Sequence, residues 1–385
     1  MDSLFTSLAA SSREFRRSIH QKPELSGGEF STREALVAEL KTLGFKPQTF
    51  EGHAGIVALW PGENSTAGCL ALRADMDALP LQEESGIPWA SQTPNVMHAC
   101  GHDGHMAILL GVAGWLSQKG KRFPKSVKLI FQPAEETGTG APQMIENGVL
   151  ENPKVEAIFG LHGWPELPAG TVAVPEKAVM AAVDNFSLQL HGRGGHGAMP
   201  HLTLDPIVAA AAIITSAQTL VSRRAPPLES AVLTFGSIAA GHAQNIIPET
   251  CLLRGTLRSF DPVLRASLKE GFESLVKHTA TAMGVRSELE WLEACPATLN
   301  DPAMAMLARN AATDALGIAS IRDRVPSMGG EDFAYFLEQV PGAYFWLGLG
   351  MERGGLHNPR FDFNDEALAA GIAVFAGIIE RYSQV

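Results

Sequence analysis

The chain has 385 residues, 45% of them hydrophobic and 18% charged, with a formal net charge of −11 from 30 basic and 41 acidic side chains. That length suits two domains of ordinary size around a sizeable core. No basic block exists to neutralise phosphates, which excludes nucleic acid as an expected partner, and the acidic surface points to a soluble protein. The four cysteines, Cys69, Cys100, Cys251 and Cys295, are too few for a disulfide framework, and all but Cys100 sit among apolar residues as core thiols. The longest apolar runs, 207–214 and 368–379, are too short to span a bilayer. The first 21 residues lack the basic region and apolar core of a secretory signal and read as an amphipathic helix. The cytoplasm is the expected address, with no membrane partner.

In chain order, residues 30–43 carry helical spacing and stop at Gly44, and short β-type runs follow at 55–60 and 69–74. An apolar helix is expected over 106–118, opening directly after a His-rich loop, with buried strands at 127–131 and 157–161. Such strands, rich in Val, Ile, Leu and Ala and separated by helices, predict a mostly parallel α/β sheet. A different texture begins near Ala182. Strands at 185–191, 231–238, 251–259 and 285–292 and helices at 204–220 and 262–283 follow in the order βαββαβ. The alternating texture then returns, with apolar runs at 343–349 and 368–379. The fold class is therefore α/β. A catalytic domain with a mixed, largely parallel sheet (residues 1–181 and 296–385) is interrupted by a smaller ferredoxin-like α+β domain (182–295).

The densest chemistry lies at 97–105, Met-His-Ala-Cys-Gly-His-Asp-Gly-His, which holds His98, Cys100, His102, Asp103 and His105. A Cys and a His separated only by Gly can aim two soft donors at one point. Thiolate with imidazole favours Zn²⁺, and Mn²⁺ is admitted if carboxylates join. A metal site demands further ligands at the ends of other buried strands, where α/β sheets form their sites. The run 129–136 ends in Glu135 and Glu136, adjacent charges that are costly there unless something cationic receives them. The run 159–163 delivers His162, and His357 follows a Gly-rich loop at 348–355. Asp75 and Asp77 alternate at another strand end. Asp77, with Asp103, is expected behind the ligands, orienting an imidazole.

Gly192-Arg-Gly-Gly-His-Gly197 satisfies G-x-G-x-x-G, but no βαβ unit with an acidic residue about 20 positions on supports a dinucleotide fingerprint. It reads as a tight loop presenting His196, with His201 a weaker candidate. Asn245 and Arg258 read as contacts for a substrate carboxylate or oxyanion, Arg through paired N–H bonds. Gly329-Gly330 reads as a turn whose amides open a helix and hold an anion. Trp164, Met180, Phe186 and Trp346 read either as an apolar acyl pocket or as core. No G-x-S-x-G elbow supports a serine hydrolase.

Taken together and in order, ALRADMDALP, ACGHDGH, FQPAEE, GLHGWP, GGHGAMPH, QNIIPE, GGEDF and LHNP resemble the M20 metallopeptidase family. The resemblance is nearest to its amidohydrolase branch of hippurate hydrolases, auxin-conjugate hydrolases and N-acyl-amino-acid amidohydrolases. It implies a zinc-peptidase-like domain interrupted by a small domain that dimerises or acts as a lid. It also implies metal ligands Cys100, His102, Glu136, His162 and His357, and Glu135 as catalytic acid/base. His196 would reach the active site of a neighbouring subunit, in a homodimer or higher oligomer. The implied reaction is hydrolysis of an N-acyl-amino acid, hippurate-like or otherwise, with two divalent cations per subunit: Zn²⁺ or Mn²⁺, with Co²⁺ or Ni²⁺ as alternatives. Cys100 is the expected shared ligand. A dipeptidase or carboxypeptidase on the same scaffold is the alternative, followed by a non-catalytic metal-binding protein, against which the intact Glu135 speaks.

Overall fold

The structure is a computed structural model that describes residues 3–64, 68–120 and 123–384. Two compact units emerge: Met1–Val179 with Leu299–Pro326 and Glu331–Val385, and Met180–Thr298 with Ser327–Gly330.

The larger unit is built on a mixed sheet of eight strands. Their order is Gln48–Thr49, Ile56–Trp60, Ser126–Gln132, Cys69–Asp75, Val155–Trp164, Gly342–Gly348, Val172–Ala173 and Ile321–Arg322. The four strands from Ser126–Gln132 to Gly342–Gly348 run parallel. Three of them, Cys69–Asp75, Ser126–Gln132 and Gly342–Gly348, are buried along their whole length, as expected of parallel strands covered on both faces. Asp75 pairs with Gln132 and Gly348 with Trp164, so the carboxyl ends of the four strands come together at one edge. The helix His102–Lys119 is buried from His102 to Leu116, an all-round apolar helix with the core on every side. It packs against Ser3–His20 and Leu368–Tyr382.

The smaller unit is a four-stranded antiparallel sheet in the order Ala231–Ala240, Thr250–Ser259, Ala182–His191, Arg286–Cys295. Its helices, Pro206–Thr219 and Pro262–Ala282, each open on Asp-Pro, with the Asp205 or Asp261 carboxylate accepting from amides of the first turn. Phe186, Leu188 and Leu190 face these helices. Phe186 packs with Phe235, Phe272 and Trp291, so it is a core residue of this unit and leaves the set of acyl-pocket candidates. The short segment Ser327–Gly330 also belongs here, because Ala181 N donates to Ser327 O (3.1 Å) and Gly329 O (3.0 Å).

One expectation changes. Pro206–Thr219 continues as the wider turn Leu220–Arg224, and the composite Pro206–Arg224 is long and apolar enough, by length and composition, to cross a membrane. Alanine supplies much of that hydropathy. Ala209, Ala210, Ile213, Ala217 and Leu220 are buried in the core of the smaller unit.

Candidate metal centre

The strands and turns of the larger unit bring five donors together. Gly101 adopts the left-handed conformation (φ 88°) and the helix begins at His102. The His-rich motif is therefore half turn, half first helical turn. Its polar side chains hide the start of the helix from a search for apolar periodicity. His162 lies inside the strand Val155–Trp164, two residues from its end. His357 sits in a loop with φ 58° and is fixed by its amide, which donates to Ala99 O at 2.8 Å.

Cys100 Sγ lies 3.4 Å from His162 Nε2 and 3.3 Å from His357 Nε2. His357 Nε2 is 3.4 Å from Glu136 Oε1. His102 Nε2 is 3.9 Å from both Glu135 Oε2 and Glu136 Oε1. Donor atoms of Cys100, His102 and His162 fall within 4.8 Å of one another, and so do those of Cys100, Glu136 and His357. The two triads share Cys100.

The imidazoles are set by what lies behind them. His102 Nδ1 donates to Asp77, whose carbonyl is 2.9 Å and Oδ1 3.1 Å away. Asp77 Oδ2 accepts from the Glu136 amide at 3.0 Å, so one carboxylate fixes two donor residues. His162 Nδ1 donates to Gly163 O at 2.8 Å. In the neutral rings this leaves the lone pair on Nε2, which faces Cys100 or the glutamates. His102 Nε2 and Glu136 Oε1 are buried without a hydrogen-bond partner. Buried polar atoms are rarely left unpaired, and these two face the same space. Thiol, imidazole and carboxylate are the donor types of a Zn²⁺ or Mn²⁺ site, so the residues fit the cations that the sequence implies.

Electrostatics agree. Burial raises the Cys100 thiol well above its usual range, and Glu136 and Glu135 add to the shift. Glu135 is raised well above the carboxylate range by burial, then by Glu331, Glu136 and Asp332. Burial lowers the His102 pKa, but Asp75, Asp77 and Glu136 outweigh it and carry it up to about 10. Here a proton takes the place of a cation among crowded acids.

Other candidates fall differently. His105 spends both nitrogens: Nδ1 donates to Asp75 Oδ1 (2.6 Å) and Nε2 accepts from the Gly163 amide (2.8 Å). It holds the backbone behind His162. His98 is buried with neither nitrogen paired, and burial pushes it down to about 4, so it is neutral. Asp103 corrects an expectation. It accepts from Arg16 Nη1 (2.9 Å) and His20 Nδ1 (2.8 Å) and orients no ligand imidazole. One residue along a helix turns the side chain about 100° away from its neighbour, which separates Asp103 from His102. Trp164 and Trp346 pack as a tilted pair, 4.2 Å between centroids and 53° between planes, beside His162, with Trp346 fully buried.

In the smaller unit, His196 ends the short strand Gly195–His196 and Asn245 directly precedes its partner strand Ile246–Ile247. Ile246 pairs with His196, and Gly197 N donates to Asn245 O at 2.8 Å. Both side chains are exposed, as is His201. His196 Nδ1 accepts from Ala198 N at 3.0 Å, which leaves its ring proton on Nε2. Arg258 spends one N–H on Met328 O at 2.6 Å. Met180 is buried. Of the Gly329-Gly330 pair, Gly329 N donates to Ser327 Oγ (3.1 Å), and the helix beyond, Ala334–Leu337, is a single turn that does not begin at the glycines.

Sequence reasoning missed the wall behind Glu135. Fully buried Arg73 donates from Nη1 to Asp75 (2.6 Å), from Nη2 to Asp332 (2.9 Å), and from Nε to Gln132 Oε1 (2.8 Å). Its Nη2 also lies 3.0 Å from Glu331, and Tyr344 OH donates to Glu331 at 2.5 Å. The signal was present: an arginine within an otherwise apolar strand needs buried acids to receive it.

Sheet, inserted unit and donor cage together define a metal-dependent hydrolase. The sequence matches peptidase family M20/M25/M40 over residues 71–381, and the chain belongs to that family. It is 40% identical to the N-acetyl-L-cysteine deacetylase of Bacillus subtilis, over 92% of this chain and 83% of that protein. It is 38% identical to the IAA-amino acid hydrolase ILR1-like 4 of Arabidopsis thaliana, over 95% of this chain and 84% of that one. The solved structure of the Bacillus subtilis YXEP protein, described as a dinuclear metal binding peptidase from the M20 family, matches with a TM-score of 0.84 at 33% identity, covering 97% of this chain and 98% of that one.

Proposed function

We propose that the chain cleaves the amide bond of N-acyl-amino acids to a carboxylate and a free amino acid, with two divalent cations held by Cys100, His102, Glu136, His162 and His357. The observation that carries this reading is the pair of donor triads meeting at Cys100. The deacetylase and amino-acid-conjugate hydrolase among its relatives support an amide between an acyl group and an amino acid. When bound, such cations polarise a carbonyl and lower the pKa of a water toward about 7.

The rest is done by the chain. Glu135, beside the cage and free of the Asp77 network, accepts the proton of the attacking water and returns it to the leaving nitrogen. Burial among Glu331, Glu136 and Asp332 favours the protonated carboxyl, which suits the second transfer. His196 is proposed to donate from Nε2 to the developing oxyanion in a neighbouring subunit of a cytoplasmic homodimer. Asn245 and the N–H groups that Arg258 retains are proposed for the substrate carboxylate.

The test is reconstitution of the chelated protein with Zn²⁺, Mn²⁺, Co²⁺ or Ni²⁺, one at a time, and assay of N-acetyl, benzoyl and indolylacetyl amino acids against free dipeptides. Turnover of N-acyl-amino acids above dipeptides is expected. Turnover of dipeptides alone would replace this reading with the peptidase alternative.

A further inference from the structure

Residues 16–29 precede the stretch 71–381 that the family model spans, and they reach three of the segments that carry the cage. Ser26 Oγ donates to Asp77 Oδ2 at 2.6 Å, behind His102. Glu29 Oε1 accepts from Ala134 N at 2.8 Å, just ahead of Glu135. The strongest link is Arg16, fully buried in the helix Ser3–His20. Its Nη1 donates to Asp103 Oδ2 (2.9 Å) and Asp362 Oδ1 (3.0 Å), and its Nε to Asp365 Oδ1 (2.5 Å).

These acids are placed with respect to the donors. Asp103 directly follows His102 in the first turn of its helix. Asp362 closes the loop 353–362, in which His357 sits. Asp362 N donates to Arg353 O at 3.0 Å, Arg353 Nη1 donates to Asp362 Oδ2 at 2.6 Å, and Trp89 Nε1 donates to Asp362 Oδ1 at 3.2 Å. One guanidinium therefore grips two segments, one carrying a donor of the first triad (His102) and one carrying a donor of the second (His357). Nη1 alone meets Asp103 and Asp362 while Nε meets Asp365; a lysine ammonium ends one bond earlier, where Cζ stands, and cannot make all three contacts as a single point charge. Buried ion pairs often add little net stability over well-packed apolar side chains, which directs attention to the geometry that this network sets.

We propose that Arg16 is a positioning residue for the metal centre: by bridging Asp103 and Asp362 it sets the spacing between the His102 and His357 sides of the cage, and with it the affinity for the second cation. This rests on the two-cation reading above.

The test is a Co²⁺ titration of the chelated protein, read by the thiolate-to-cobalt and visible absorption bands, on wild type, Arg16→Lys, Asp362→Asn and Asp184→Asn. The last breaks a buried ion pair with Arg265 and Lys269 inside the smaller unit. Wild type should take two Co²⁺. Arg16→Lys and Asp362→Asn should bind the second about 10- to 100-fold more weakly. Asp184→Asn should lower the unfolding midpoint and keep both affinities. Wild-type affinities in Arg16→Lys and Asp362→Asn would overturn the proposal, and so would an equal weakening in Asp184→Asn, which marks a merely structural effect. If Arg16→Lys does not fold, Asp362→Asn decides. A wild type that takes fewer than two Co²⁺ overturns the reading beneath the proposal, and the proposal with it.

Discussion

Glu135 and Glu136 are adjacent in sequence, both lie 3.9 Å from His102 Nε2, and they differ in what else they face. Glu136 is tied by its amide to Asp77 and lies with His357 and Cys100, whereas Glu135 faces Glu331 and Asp332. These surroundings support the roles proposed for them, ligand for Glu136 and proton carrier for Glu135. Glu135→Gln should therefore keep both cations in elemental analysis and lose turnover by about 10²- to 10⁴-fold; near-normal turnover would remove Glu135 from the reaction. The five donors were legible because thiol, imidazole and carboxylate are scarce at the ends of apolar runs. Arg73 was not, because its partner Asp332 stands 259 positions away and no local pattern pairs them. Asp103 was misread because its carboxylate turns to Arg16 and His20, which stand more than 80 positions away, and not to a ligand imidazole.

At the scale of elements, the helix His102–Lys119 carries one donor at its first residue, and its close fit can be tested. A Cβ at Gly104 would stand 2.3 Å from the Phe363 ring, next to Asp362. Gly104→Ala gains helix propensity but overpacks the contact, and a net loss of about 1–3 kcal/mol in stability is expected from thermal unfolding. A gain in stability would contradict the packing described. The helix Ser3–His20 ends in His20, which Asp103 and Glu83 outweigh burial to raise to about 9, from an ordinary 6.5. A pKa raised on folding contributes stability that is fully present below about 6.5 and is lost as pH rises through about 9. The melting point of the chelated protein should fall across that window, and His20→Gln should flatten the fall. An unchanged slope would assign it to other groups. Most long elements were legible from periodicity, but their ends were not, and the helix Pro302–Leu316 was not singled out. The helix starts at His102 rather than 106 because its first turn is polar and its start is set by Gly101 in the left-handed conformation.

For the whole molecule, all five donors belong to the larger unit, and the smaller unit keeps a separate core around Phe186 and Phe272. A cation that binds only the folded state stabilises what it touches, by about 2.7 kcal/mol at a hundredfold excess over its Kd. Removing it should speed hydrogen exchange in His102–Lys119 and the loop 353–362, while Ala182–His191 and Thr250–Ser259 keep their protection. Uniform loss of protection would mean that the two units unfold as one. The switch from α/β to βαββαβ texture was legible as a change of period. The excursion of Ser327–Gly330 into the smaller unit was not, because it is carried by backbone hydrogen bonds to Ala181 that any side chain permits.

The most direct measurement of the central claim is anomalous diffraction from crystals grown with Zn²⁺. Two peaks about 3.5–4 Å apart should flank Cys100 Sγ, one with His102 and His162, the other with Glu136 and His357. A single peak, or a pair that leaves Cys100 out, would contradict the account.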